Sequence, residues 1–226
     1  MISLLLQINV PVQIAQKAVA PEMSLLELLV KGGWVLVPII LISILSIYII
    51  VLKYCEIKKL TRPEDQIISG YKTSLHQGNI TQALSQLKMG QSSFCNIFYH
   101  ATQKIGQPIK EIEGTIESAA QIELSKMNNN LHYLGLFAGI APMLGFVGTI
   151  AGVIKIFYNI SLSDNISIGI ISGGLYEKMI SSGAGLIVGV VAYTGYHVLS
   201  IMIDKYMSKI EKEAFEFTNI IQSTRG

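Results

Sequence analysis

From residue 179 to residue 203 the sequence offers no Asp, Glu, Lys or Arg. A bilayer's hydrocarbon layer takes about 20 residues of helix to cross, and within it every backbone polar group must find its partner inside the segment. A run of this length commits the chain to a membrane-spanning helix before anything else is known. Two more segments meet the requirement: 34–52, WVLVPIILISILSIYIIVL, and 133–157, which opens YLGLFAGIAPMLGFVGTIAGVI. The helix of the third run starts earlier, so that span covers 173–203. Composition agrees: 50% of the residues are hydrophobic and 14% charged, against roughly a quarter charged in soluble domains. The expected fold is an all-α integral membrane protein with three transmembrane helices.

Charge then orients the spans. Residues 53–132 hold nine Lys/Arg and seven Asp/Glu, with Lys53, Lys58, Lys59 and Arg62 directly after the first span. Lys205, Lys209 and Lys212 follow the third. The connection 158–172 contributes only Asp164. Cationic flanks stay on the cytoplasmic side, which puts the loop 53–132 and the tail 204–226 inside, and residues 1–33 and the short periplasmic loop 158–172 outside. Lys17 and Lys31 pull the other way but are fewer. The topology is N-out, C-in.

The N-terminal stretch lacks a positive n-region, and Gln7, Asn9 and Pro11 interrupt its apolar part, so a retained segment is expected rather than a cleaved signal. Within it SLLELLVKGG opens with a capping box, Ser24 and Glu27. That marks a short surface helix ending at Gly32–Gly33, with Trp34 as an interfacial anchor. The loop reads as helices broken at Gly78 and Gly90. From Pro108, small or apolar residues at Ile109, Ile112, Ile116, Ala119, Ala120 and Ile122 suit an amphipathic helix running straight into the second span. The tail continues the third span as a helix into the cytoplasm. Cys55 and Cys95 have neither metal-site nor redox spacing and read as free thiols. A net charge of +2 with no basic tract excludes nucleic acid as a partner.

The second and third spans carry stripes of small residues. Ala138, Ala141, Gly145, Gly148 and Gly152 recur at three- and four-residue steps and share one helix face, with Thr149 at its edge. In the third span Ser181, Gly185 and Gly189 recur every fourth residue, with Glu177 leading the arc and Ser182 and Ala184 beside it. Small residues let backbones approach where lipid removes the hydrophobic drive, so packing explains the stripes by itself. A carboxylate inside a span's end, followed by hydroxyls, points further, to an ion or a charged partner. Lys178 reads as a headgroup anchor and Lys155 as a snorkelling lysine. His132 and His197 read as interfacial, Tyr193 and Tyr196 as packing residues. No Ser/His/Asp arrangement, metal-ligand cluster or phosphate loop is present, and the chain does not read as an enzyme.

The run GIAPMLGFVGTIAGV resembles the second-span signature of the ExbB/TolQ/MotA proton channel family, an APLLGLLGTV-like run. YEKMISSGAGLIVGVVAY resembles the family's third span, an acid followed by an A-L-x-T-T-A-x-G-L-like run, and KGGWVLVPIILISI its first-span entry. The resemblance covers nearly the whole chain. It implies the larger, ExbB-like subunit of a proton-driven stator in the bacterial inner membrane, forming a pentamer around single-span ExbD- or TolR-like helices. Such a complex uses protons as its coupling ion, needs no other cofactor, and energises a TonB-like or Tol machinery. It further implies that Thr149 corresponds to the family's pore threonine, Glu177 to its acid and Ser182 to its second threonine. Ser181 joins them as a pore-lining expectation, and Ala141, Gly145, Gly148, Gly152, Gly185 and Gly189 are expected in helix packing. Two departures stand out: serine replaces threonine at Ser182, and Val191 stands where the family has proline. TolQ-like, MotA-like or gliding-motor roles, and a non-conducting scaffold, are the alternatives.

Overall fold

The computed structural model describes residues 33–162 and 168–225, and every regular element among them is a helix. The expected capping box at Ser24 and Glu27, the surface helix and Asp164 lie outside the described residues. Helix α1, Leu36–Leu60, begins from a turn in which Leu36 donates to the carbonyl of Gly33 at 3.1 Å. Gly33 sits at φ 74°, a left-handed conformation that glycine adopts without a Cβ penalty. One face of α1 is buried through Ile39, Ile42, Ser46, Lys53 and Ile57, while Val37, Leu41, Ile44, Tyr48 and Val51 are exposed. An apolar exposed face suits lipid. The helix does not stop at residue 52: Lys53 is buried, bonds Glu56 at 2.6 Å, and the same helix carries on to Leu60.

Three short helices follow: α2 (Asp65–His76), α3 (Ile80–Met89) and α4 (Ser93–Thr102). Gly78, at φ 71°, and Gly90 separate them. Tyr71, Phe94 and Phe98 meet in their core, with the Phe94 and Phe98 ring centroids 4.3 Å apart. Helix α5, Ile109–Asn128, lays Ile112 and Ile116 on the same core.

Helix α6 is His132–Leu162 and α7 is Ile168–Arg225. The amphipathic α5 does not run straight into the second span. Asn129 is extended and Asn130 adopts φ 64°, a left-handed conformation that asparagine tolerates, so the MNNNL stretch breaks the helix. The connection expected over 158–172 is also shorter. Ile160 and Leu162 carry α6 onward without a glycine or proline to stop it, and α7 is already helical at residue 168.

At 58 residues and about 1.5 Å each, α7 is roughly 87 Å long, several times what a hydrocarbon layer requires. It therefore serves two layers. Its first half packs against α6 and α1. Its last turns add Ile210, Phe217 and Ile221 to the core of α2–α5. Between the layers Ile57, Met127, Leu131, Leu134, Leu199 and Ile203 form a second buried cluster where α1, the α5–α6 break and α7 meet. Three of the helices are long and apolar enough to cross a membrane.

Candidate functional site

The antiparallel α6–α7 pair is a seam of near-contacting backbones. A Cβ added to Gly185 would stand 2.5 Å from the carbonyl oxygen of Ala141 and 3.2 Å from the Cα of Gly145. One added to Gly145 would meet the Cα of Ser182 at 3.0 Å. Gly189 makes room for the ring of Pro142 and faces the carbonyl of Ala138, the acceptor whose helical N–H a proline at 142 removes. Gly148 abuts the Ser181 hydroxyl and Val35, the residue just before α1. At Gly145 and Gly185 the packing is backbone against backbone, while Gly148 meets side chains and Gly189 meets both. Gly152 differs, since its missing side chain leaves room for the aliphatic stem of Lys178.

The hydroxyls divide. Ser181 is fully buried inside the seam, donating to the carbonyl of Lys178 at 2.9 Å. It does not stand on an open face of the subunit. Thr149 and Ser182 are half-buried. Each lies past the seam in the same rotational sense along its own helix, and because the helices are antiparallel this brings both to one side of the pair. The register sets Gly145 against Ser182 and Gly152 against Lys178, so Thr149 is level with the turn between Glu177 and Ser182. The Thr149 hydroxyl donates to the carbonyl of Phe146 at 2.6 Å, which leaves its lone pairs available as acceptors. Glu177 is helical, one turn before Ser181; its side chain lies outside the described residues. Among the described residues no group of His, Cys, Asp and Glu is placed to hold a metal.

The open flanks are equally specific. Gly139, Gly173 and Gly183 have no neighbour within 4 Å of a built Cβ, and Phe146, Val147, Leu186, Ile187 and Val190 are exposed. Tyr193 packs against His197 with centroids 4.3 Å apart and the rings tilted by 60°, and His197 is exposed.

A second polar cluster, which sequence reasoning passed over, surrounds the start of α4. Glu64 accepts from the Ser92 hydroxyl at 2.8 Å, the Cys95 thiol at 3.2 Å and the backbone N–H of Gln91 at 3.2 Å. Burial works to raise its pKa, but these donors outweigh it and hold the carboxyl below its ordinary range. Burial, reinforced by the nearby Glu64 charge, pushes the Cys95 thiol up to about 11, so it stays a protonated donor. Glu123, also buried, accepts from the Ser93 hydroxyl at 2.7 Å and from Lys126 at 2.6 Å. The Tyr206 hydroxyl of α7 accepts from the Phe94 N–H at 3.0 Å. A helix N-terminus favours carboxylates because its first amides lack partners. Glu64 sits 27 residues before Gln91 in sequence, a separation that local pattern reading does not bridge.

Comparison with known proteins finds a family and several relatives. Residues 89–212 match the model of the MotA/TolQ/ExbB proton channel family. A putative biopolymer transport protein ExbB homolog of Methanothermobacter thermautotrophicus is 28% identical over 190 residues, 83% of this chain and 67% of that protein. Biopolymer transport protein exbB1 of Vibrio cholerae is 34% identical over 100 residues, 42% of this chain and 44% of its own length. The Tol-Pal system protein TolQ of Haemophilus influenzae is 24% identical over 215 residues, 88% of this chain and 94% of its own.

Proposed function

The chain belongs to the MotA/TolQ/ExbB proton channel family, and we propose that it is the ExbB-like subunit of a proton-motive-force-driven stator in the bacterial inner membrane. In this reading five copies surround single-span ExbD- or TolR-like helices, with residues 1–33 outside and the helical domain in the cytoplasm. Protons pass along the inner face of the assembly, and the resulting motion energises a TonB-like partner. The observation that supports the reading is that Thr149 and Ser182 lie on one side of a seam built mainly of small residues. A proton route through hydrocarbon needs few polar groups, uncharged ones where possible, close to a titratable acceptor. Two hydroxyls that both donate and accept meet that need without burying a charge. Glu177 supplies the acid at the entrance, and Ser181 braces the helix behind it.

Reconstituted vesicles test this. Thr149→Val combined with Ser182→Ala should lower proton flux by about tenfold or more, the equivalent of one or two lost hydrogen bonds, with subunit mass and partner retention unchanged. Undiminished flux would remove both residues from the pathway. The second reading is a TolQ-like role in outer-membrane integrity, favoured by the match to a TolQ protein over 94% of its length. Identification of the co-purifying single-span partner decides between the two.

A further inference from the structure

The side of the α6–α7 pair that carries Thr149 and Ser182 continues below the membrane. Thr149 follows the buried Gly148 and Ser182 the buried Ser181, each one step past the packed row. The cytoplasmic layer repeats that step. Glu113 and Glu117 follow the buried Ile112 and Ile116 on α5, and Glu211 follows the buried Ile210 on α7. Helix α5 climbs from Ile112 in the lower core to Met127 in the cluster between the layers, the direction that α6 then takes. One step is about 100° of rotation in every case, so all five side chains emerge on one side of the subunit.

On that side α5 and the lower part of α7 leave a groove of about 450 Å³ between them. Ile116, Ala120, Leu124, Met207 and Ala214 supply its apolar lining, and the ring of Phe215 stands in it 68% exposed. Glu113, Glu117 and Glu211 complete its character: no Lys, Arg or His belongs to the described lining. Among the described residues none of the three carboxylates has an ion-pair partner. An apolar groove edged by unpaired acids suits a segment with apolar residues on one side and Lys or Arg on the other.

Height and charge select the occupant. The uncharged run of the third span ends at Ile203, so Met207 lies about 6 Å and Thr218 about 22 Å farther along α7. A flank of about 15 helical residues, or about 7 extended ones, covers that length from the membrane edge. Whichever end of a single-span helix lies in the cytoplasm carries its excess of Lys and Arg just past the bilayer. We propose that the α5–α7 groove seats the basic, apolar cytoplasmic flank of the single-span helix that the assembly surrounds. The proposal rests on the reading of Thr149 and Ser182 as the inner face, and it extends that face from the proton route to a docking track beneath it.

Photo-crosslinking in the intact assembly, purified with its single-span partner, tests this. Benzoyl-phenylalanine in place of Phe215 should link to the partner, and peptide mapping should place the bond in the partner's cytoplasmic flank. The same group in place of Ile122, exposed on α5 but outside the groove, should not. Glu113→Gln, Glu117→Gln and Glu211→Gln together should lower the yield about five- to tenfold. Glu111→Gln, an exposed carboxylate of α5 outside the lining, should leave it unchanged. A helical leucine–lysine peptide of about 15 residues, added in excess, should compete the link away, and its leucine–glutamate counterpart should not. Equal competition by the two peptides, or an unaltered yield in the triple variant, overturns the proposal. Links from position 215 to another copy of this chain instead of the partner make the groove a subunit contact; the proposal then falls while the proton-route reading stands. An assembly that holds no single-span protein overturns both.

Discussion

The two halves of α7 obey different packing rules. Between residues 181 and 189 the helix meets α6 through glycine and serine, and the nearest neighbours of its glycines include backbone and a proline ring. Around residue 217 it meets α2 and α4 through aromatic rings, with Phe217 and Phe98 centroids 5.6 Å apart and edge to face. The cause is the solvent. Lipid tails are as apolar as leucine, so large side chains gain nothing by turning inward, and contact improves only as backbones close up. In water each buried ring removes a large apolar area and stabilises the fold by its burial. One continuous helix records the change of medium along its length.

The first way to break this comparison is to put a side chain into the seam. Gly185→Leu would set a branched residue where a single Cβ already stands 2.5 Å from the carbonyl of Ala141. Backbone cannot yield as a flexible side chain can, and the cost should exceed the ~3 kcal/mol typical of overpacking. The expected outcome is loss of the assembled complex on size-exclusion chromatography. Gly183→Leu is the control: nothing lies within 4 Å of its built Cβ, and the protomer should fold normally. Equal effects at the two positions would dissolve the distinction between seam and open face.

The second tests the aqueous half by the opposite operation, removing volume. Phe98→Ala empties a site that is 1% exposed and packed by Tyr71, Phe94 and Phe217. The domain should lose about 3–5 kcal/mol, seen as early exchange of the α2–α4 amides, while α6–α7 amides in the bilayer stay protected. Spread of the damage into the hairpin would mean that the two layers do not act separately.

This contrast also explains what could be read in advance. The seam is written locally: glycine at 145, 148 and 152, and at 185 and 189, shows its face by spacing alone, because a helix in lipid has no other way to pack closely. Two of the three hydroxyls owe their placement to something the spacing lacks. A one-residue difference, about 100° of rotation, sends Ser181 into the seam and leaves Ser182 at its edge, and only the partner helix decides which is which. The α5–α6 break was hidden because MNNNL follows a helix-favouring run, and the turn depends on Asn130 at φ 64°. Glu64 and Lys72 find their partners far along the chain, where no periodic pattern reaches.

Glu64 supplies a third, smaller test confined to the aqueous layer. Its carboxyl is held below the ordinary range of about 4.3 by the donors of Ser92, Gln91 and Cys95 despite partial burial. A depressed folded pKa means the stabilisation is complete above the unfolded value and disappears as pH falls through the folded one. Unfolding of the domain followed by circular dichroism should therefore show stability falling as the pH drops below the ordinary carboxylate value of about 4.3 and through the lowered folded one, a small loss because water screens the group, and one absent in Glu64→Gln. An unchanged acid profile in that variant would take Glu64 out of the accounting.

The smallest effect is expected at Lys72, the ionic tie between α2 and the end of α7. It lies 2.7 Å from Glu213 and 2.8 Å from Glu216. Partial burial works to lower its pKa, but the two carboxylates outweigh this and raise it. By sign, that stabilisation is present below the ordinary lysine value of about 10.4 and is lost only as pH rises through the raised one; neutral solution leaves it intact. The side chain of Lys72 is still 31% exposed and that of Glu216 48% exposed, so water and salt screen the pair. A double-mutant cycle of Lys72→Ala with Glu213→Ala should find less than about 1 kcal/mol of coupling, shrinking further in high salt. The contrast with Gly185 is then complete: deleting a charged pair at the aqueous end of α7 costs less than adding a few carbons at its membrane end. A coupling of several kcal/mol would reverse that order and make the ion pair, rather than the aromatic core, the joint that holds the tail of α7 to the domain.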